Sequence, residues 1–343
     1  MEVSMPSRRV FAGLFIILLI IMGCAKRSTA WQNPDKLELL RQIPIVGNPM
    51  DIDVEGNNVY IAQDQGGFSI VNLSDYSQKW YTSIKSSDGS VVDMIKIRKI
   101  SAVGARNFLF INETDGTDLI RIVDISNPDS LKVVDAITGA TQDISDMHFF
   151  NLATPQGSYI IETTYTSGRN VYYGRYNGTL WLGQDYTIVP PASASGAAMD
   201  TNCLYVADQQ HGLVIYNRAN QQKLGQIVLP GEAQKVKVSG NYAYVASRQG
   251  GLHVVDISDP VHPVKTYSYD TTGYASAVDV AEGYLAVSSG SGGVYLFSLS
   301  SPAQPKFLQQ LTECGYTNTV RIHNGKLIVG ARDMGVMIYD IED

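Results

Sequence analysis

Short apolar runs recur along the chain, separated by polar turns rich in glycine, asparagine and aspartate. Leu252-His253-Val254-Val255-Asp256 is one such run, and Val294-Tyr295-Leu296-Phe297-Ser298 is another. Brief runs rich in β-branched and aromatic residues, bounded by turn residues, read as buried strands. No competing period of three to four residues marks an amphipathic helix. The pattern therefore predicts an all-β protein.

The runs belong to internal repeats. Gly240-Asn241-Tyr242-Ala243-Tyr244-Val245-Ala246 followed by Gly250-Gly251-Leu252-His253-Val254-Val255-Asp256-Ile257-Ser258-Asp259-Pro260 matches Gly56 to Ala62 followed by Gly66 to Asp75. It also matches Gly283 to Val287 followed by Gly292 to Ser300. The residues preceding the third strand of each unit are Gly67, Asp118, Asn170, Gly212, Gly251, Gly293 and Gly335. Units of roughly 40–50 residues with several short strands each predict a propeller with four-stranded antiparallel blades. Seven markers mean seven blades. The last unit stops after its third strand, while Lys36 to Ile45 precedes the first unit and resembles an outer strand. Leu37 to Ile43 is thus expected to complete the last blade and close the ring, removing two open edges.

Leu252 to Pro260, together with Ile122-Val123-Asp124-Ile125-Ser126-Asn127-Pro128, resembles the LVIVD repeat of prokaryotic surface propellers. The resemblance covers about residues 45–343 and implies a β-propeller and export. It implies no settled activity.

The N-terminus reads differently. Arg8 and Arg9 precede the apolar stretch Val10 to Met22, which is short of the roughly 20 residues of a spanning helix. Residues 1–23 are therefore expected to be a signal peptide. Ile21-Met22-Gly23-Cys24 resembles a lipobox, which implies a diacylglycerol on Cys24 after cleavage before it. Residues 24–35 then form the acylated cysteine and a short tether, and 36–343 a single propeller. Two acyl chains suffice for stable anchoring. The expected location is the cell envelope, on the outer membrane if the organism has one, with the membrane contacted through the lipid.

Composition adds exclusions. The formal net charge of −7 and the absence of a basic run argue against nucleic acid. Cys203 and Cys314 fall in non-adjacent units, so no disulfide is expected, and no Cys/His cluster suggests zinc. The five histidines occupy different repeat positions, no G-x-S-x-G elbow occurs, and no phosphate loop or dinucleotide fingerprint is present. The expected role is non-enzymatic, without cofactor or metal.

Candidate sites remain in two places. Inner strands line the central channel, and Asp51-Ile52-Asp53-Val54, Asp93-Met94-Ile95-Lys96, Asp146-Met147-His148-Phe149 and Lys235-Val236-Lys237-Val238 read as inner strands. Alternation turns Asp51, Asp93, Asp146 and Lys235 toward the channel, as a charge-balanced wall or a polar-ligand site. Unit two carries an apparent insertion at Arg98 to Asn107, and unit three diverges through Thr164 to Pro191. The divergent stretch concentrates Tyr172, Tyr173, Tyr176 and Trp181, which either pack between blades or contact a partner or sugar. The expected function is a membrane-tethered scaffold for an envelope or extracellular protein partner. The alternative is a carbohydrate or small-ligand binder using the channel mouth or these aromatics. A metal-dependent hydrolase or lyase ranks last.

Overall fold

A computed structural model describes residues 36–114, 119–137, 144–153 and 159–342. The expected signal peptide, Cys24 and the tether lie outside the described residues. Seven antiparallel blades form, and in each the chain runs from an inner strand outward. The inner strands are Asp51–Glu55, Ile97–Val103, Ile144–Ala153, Ala194–Met199, Lys235–Ser239, Ala277–Ala281 and Thr317–His323. The face on which these strands begin is termed upper here, and the opposite face lower. Connectors between blades lie on the upper face, as do the turns between second and third strands.

Leu37–Ile43 pairs antiparallel with Gly335–Ile341, from Leu37 opposite Ile341 to Ile43 opposite Val336. The last blade is thus completed by the N-terminal strand, and the ring closes as the sequence pattern predicts. Closure is sealed beyond the strand itself, where the Glu342 amide donates to the Lys36 carbonyl at 2.8 Å.

The core is divided among the blade interfaces. Ile43, Ile52, Val59, Ile61, Ile328 and Ile338 pack blade seven against blade one. Comparable clusters fill every other interface, such as Leu213, Ile215, Val236, Val245 and Val255 between blades four and five. Strands buried on both faces by neighbouring blades need apolar residues at successive positions, which explains why the third strands read as continuous runs rather than alternating ones.

The repeated Gly-Gly pair follows from the same close stacking. A Cβ on Gly292 would sit 1.7 Å from the Thr272 carbonyl oxygen of the preceding connector. One on Gly293, whose φ is +76°, would sit 1.8 Å from the Leu311 carbonyl of its own outer strand. Only glycine combines that left-handed conformation with that approach. A polar residue at the end of a third strand serves the next turn in blades one, two, four, five and six. Asp124 accepts from the Ser126 amide at 2.8 Å and Asp256 from the Ser258 amide at 2.9 Å.

Blade two departs from the sequence reading. Asp93-Met94-Ile95-Lys96 is not its inner strand, and Arg98 to Asn107 is not an insertion. The inner strand is Ile97–Val103, followed by a single 3-10 turn at Gly104–Arg106. The extra residues form a hairpin upstream, Ser83–Ser86 with Val91–Asp93, in which Ser83 faces Asp93. This hairpin adds in parallel to the outer strand Lys132–Ile137, making blade two six-stranded. Asp93 is consequently exposed at the periphery, and Met94 tucks into the core between blades one and two.

Candidate functional site

Alternation along each inner strand sends every second side chain into the channel. Asp51 and Asp53 enter from blade one, Lys99 and Ser101 from blade two, Asp146 and His148 from blade three, Lys235 and Lys237 from blade five and Arg321 from blade seven. Together they line a cavity of about 750 Å³ in the upper channel. Of the residues singled out in the sequence, Asp51, Asp146 and Lys235 stand in this wall and Asp93 does not. Asp53, His148, Lys99, Lys237 and Arg321 join them.

The carboxylates have structural work to do. Inner strands of adjacent blades do not pair, so their edge amides lack ladder partners. Asp53 accepts from the Ala102 amide at 2.8 Å and Asp51 from that of Ile100 at 3.4 Å, stitching blade one to blade two. Asp146 accepts from the Ala197 amide at 3.1 Å, and Asp279 from that of Ile322 at 2.8 Å. In each case the acid on one blade captures an amide on the next. Charge-assisted bonds of this kind are stronger than neutral ones.

The same acids meet the channel cations. Lys235 Nζ lies 2.6 Å from Asp146 and also donates to the Ser145 carbonyl. Arg321 lies 3.5 Å from Asp51 and 3.8 Å from Asp53, and Lys237 3.6 Å from Asp279. Burial works against the charge on Asp146, but Lys235, His148 and Lys99 more than offset it and hold its pKa at about 2. Asp53 differs, since burial raises it against the pull of Arg321 and the Ala102 amide. Burial lowers the Lys235 ammonium, with Asp146 opposing the shift and Lys99 adding to it. His148 is brought down to about 4 by burial and by Lys237, so its imidazole is neutral at pH 7.

Among the described residues, no group of three or more His, Cys, Asp or Glu is placed to hold a metal ion. Cys203 and Cys314 are buried free thiols in separate interface cores. Buried His253 contacts Ser268 Oγ and the Pro230 carbonyl, both at 2.9 Å, so both ring nitrogens are occupied in linking outer strands to a connector.

The aromatics of blade three lie at the blade interfaces. Tyr176 and Tyr173 are buried, at 1% and 6% exposure. Tyr176, Tyr172 and Trp181 pack in the interface with blade two, where Tyr176 meets the Phe108 ring edge-on at 5.3 Å. Tyr173 stacks on Tyr186 at 4.6 Å in the interface with blade four. The Trp181 ring lies so close over Gly174 that a Cβ there would meet it at 2.0 Å. Tyr173 and Tyr176 are thus enclosed in the blade interfaces, whereas Tyr172 and Trp181 pack against an interface and remain half-buried.

The LVIVD repeat profile matches residues 46–79, 100–137, 193–216 and 230–271. No curated protein matches the chain. Among solved structures, the chain is similar to Cps50 (Swd1) of Myceliophteria thermophila, in its β-propeller domain, with a TM-score of 0.68 at 10% identity, covering 89% of this chain and 99% of that one. A chain of the Mitotic Checkpoint Complex gives 0.67 at 11% identity, covering 89% and 91%. The computationally designed Ika8 protein gives 0.61 at 13%, covering 89% and 100%. At such identities the likeness concerns the fold alone. The chain is a seven-bladed β-propeller, and four of its segments match the LVIVD repeat.

Proposed function

We propose that this protein is a non-enzymatic scaffold, held at the cell envelope by a lipid on Cys24, that docks a protein partner on its upper face. One observation carries the docking face. Exposed apolar side chains recur on the connectors around the upper mouth: Val46 (54% exposed), Ile95 (38%), Val189 (73%), Val228 (66%) and Tyr274 (57%). A single exposed apolar residue is ordinary. Its recurrence on equivalent connectors of one face forms an apolar rim, suited to contact with a partner. Tyr316, on the connector into blade seven, adds a ring with the Arg332 guanidinium 4.3 Å above it. Tyrosine and arginine are prominent among residues that dominate binding energy.

The lower face suits attachment. Residue 36 lies there, next to Glu342, because the closing strand runs from the lower to the upper face. The chain from Cys24 therefore joins the propeller at the face opposite the apolar rim. Photo-crosslinkers placed at Val228 and Tyr274 in intact cells are expected to capture one defined partner, whereas one at Leu180 on the lower face is not. Cys24→Ser is expected to abolish lipid labelling and release the protein from the membrane fraction. Equal capture from both faces would overturn the docking face, and unchanged labelling the anchor.

A further inference from the structure

The upper channel carries more positive charge than its structural work uses. Lys96, Arg98, Lys99, Lys235, Lys237 and Arg321 line the cavity with the carboxylates Asp51, Asp53 and Asp146, while Arg98 and Lys237 also have Asp64 and Asp279 within 3.8 Å and 3.6 Å. This excess occurs in a chain whose net charge is −7. The carboxylates are already divided between the ion pairs and the backbone amides of the next blade. Lys99 forms no ion pair or hydrogen bond through its ammonium among the described residues, yet it stands close enough to Lys235 to repel it. A cluster of like charges around a walled, water-accessible cavity concentrates field and draws in counter-charge.

We propose that the upper channel binds a small oxyanion ligand, a polycarboxylate or a phosphate ester, held by Lys99, Lys235, Lys237 and Arg321. The cavity volume falls in the range of small-molecule sites, roughly 300–1,000 Å³. Arg321 offers a planar fork suited to two oxygens of one oxyanion, and the lysines offer mobile point charges. His148, neutral at pH 7, supplies one donor and one acceptor beside them. Ser145, Ser195 and Asn318 add uncharged hydrogen-bonding groups to the lining. Such a ligand relieves the repulsion between Lys99 and Lys235 without displacing the aspartates from the amides they hold.

The test titrates the full-length protein with pyrophosphate and, separately, with citrate, by calorimetry and by thermal unfolding. Saturable binding with a raised unfolding temperature, weakened by added NaCl, is expected for at least one of them. Binding of pyrophosphate alone assigns phosphate chemistry, of citrate alone carboxylate chemistry, and of both a general oxyanion site. Lys99→Gln is expected to weaken binding by about tenfold. Binding to that variant is read by calorimetry at a temperature where both proteins are folded, because losing Lys99 also removes its repulsion of Lys235 and its attraction to Asp146. Lys237→Gln should weaken binding as well, and Lys306→Gln, on the outer strand of blade six, should leave it intact. Failure of both anions to bind, or binding indifferent to Lys99→Gln and Lys237→Gln, overturns the proposal. A response to calcium or magnesium chloride without one to either sodium salt of the anions overturns it too.

Discussion

His148 shows how the channel wall makes stability depend on pH. Asp146 favours its protonation, whereas burial together with Lys237, Lys235 and Arg321 opposes it. An unfolded imidazole takes up a proton near pH 6.5, but the folded one resists until about pH 4. Between those values the unfolded chain binds more protons, so folding stability falls as the pH drops through that window. Above pH 6.5 both states are neutral and the contribution is constant. The loss amounts to at most about 3 kcal/mol. Chemical denaturation at pH 7 and pH 4.5 should therefore show a smaller decrease for His148→Gln than for the unaltered protein. An identical decrease would remove His148 as the cause. At this scale, the alternation legible in the sequence carried further than the first residue of each pair. Asp53, His148 and Lys237 lie two positions beyond Asp51, Asp146 and Lys235, and the same parity sends them into the channel. Lys99 was hidden for another reason, since it belongs to an inner strand that the sequence pattern places several residues too early.

Elements were readable wherever a repeat was intact, and misplaced where an added element imitated one. Val91 to Lys96 alternates in the manner of an inner strand, but Ser83–Ser86 precedes it with a matching register and captures Val91–Asp93 in a hairpin. Pairing partners, which decide between such alternatives, are not encoded in local alternation. The aromatics of blade three show a similar limit. Packing and binding both favour tyrosine and tryptophan, and only the neighbouring blades decide between them. The glycine pairs, in contrast, have one physical reading. Gly293→Ala forces a side chain into a left-handed turn against the Leu311 carbonyl. A loss of about 2–4 kcal/mol is expected, read as a lower urea midpoint. Gly325→Ala, also in a left-handed turn but with nothing near its Cβ, should cost less because it bears the conformational strain alone. Equal losses would show that the close approach to the outer strand contributes nothing.

The whole molecule depends on one non-local pairing for its closed form. Each interface core is shared by two blades, so an open ring would expose the apolar faces bordering blade seven. Ile43, at 4% exposure, stands where the closing strand meets the core between blades seven and one. Ile43→Asp places an unpaired charge there, at a cost of about 3–5 kcal/mol. Hydrogen exchange should then rise first in the amides of Gly335–Ile341 and only later in blades three to five. Uniform acceleration around the ring would show instead that closure is not the weakest seam.

That seam also has a mechanical direction. Leu37 pairs with Ile341, so the two ends of the propeller chain leave from the same end of the closing ladder. Tension applied between residue 36 and residue 342 therefore peels the ladder one rung at a time, rather than loading all its hydrogen bonds together in shear. A ring that distributes its core over seven interfaces is in this respect fastened like a zip with its slider at the lower face. It yields to small forces drawn between its ends, while a pull through the blade faces would have to break whole sheets at once.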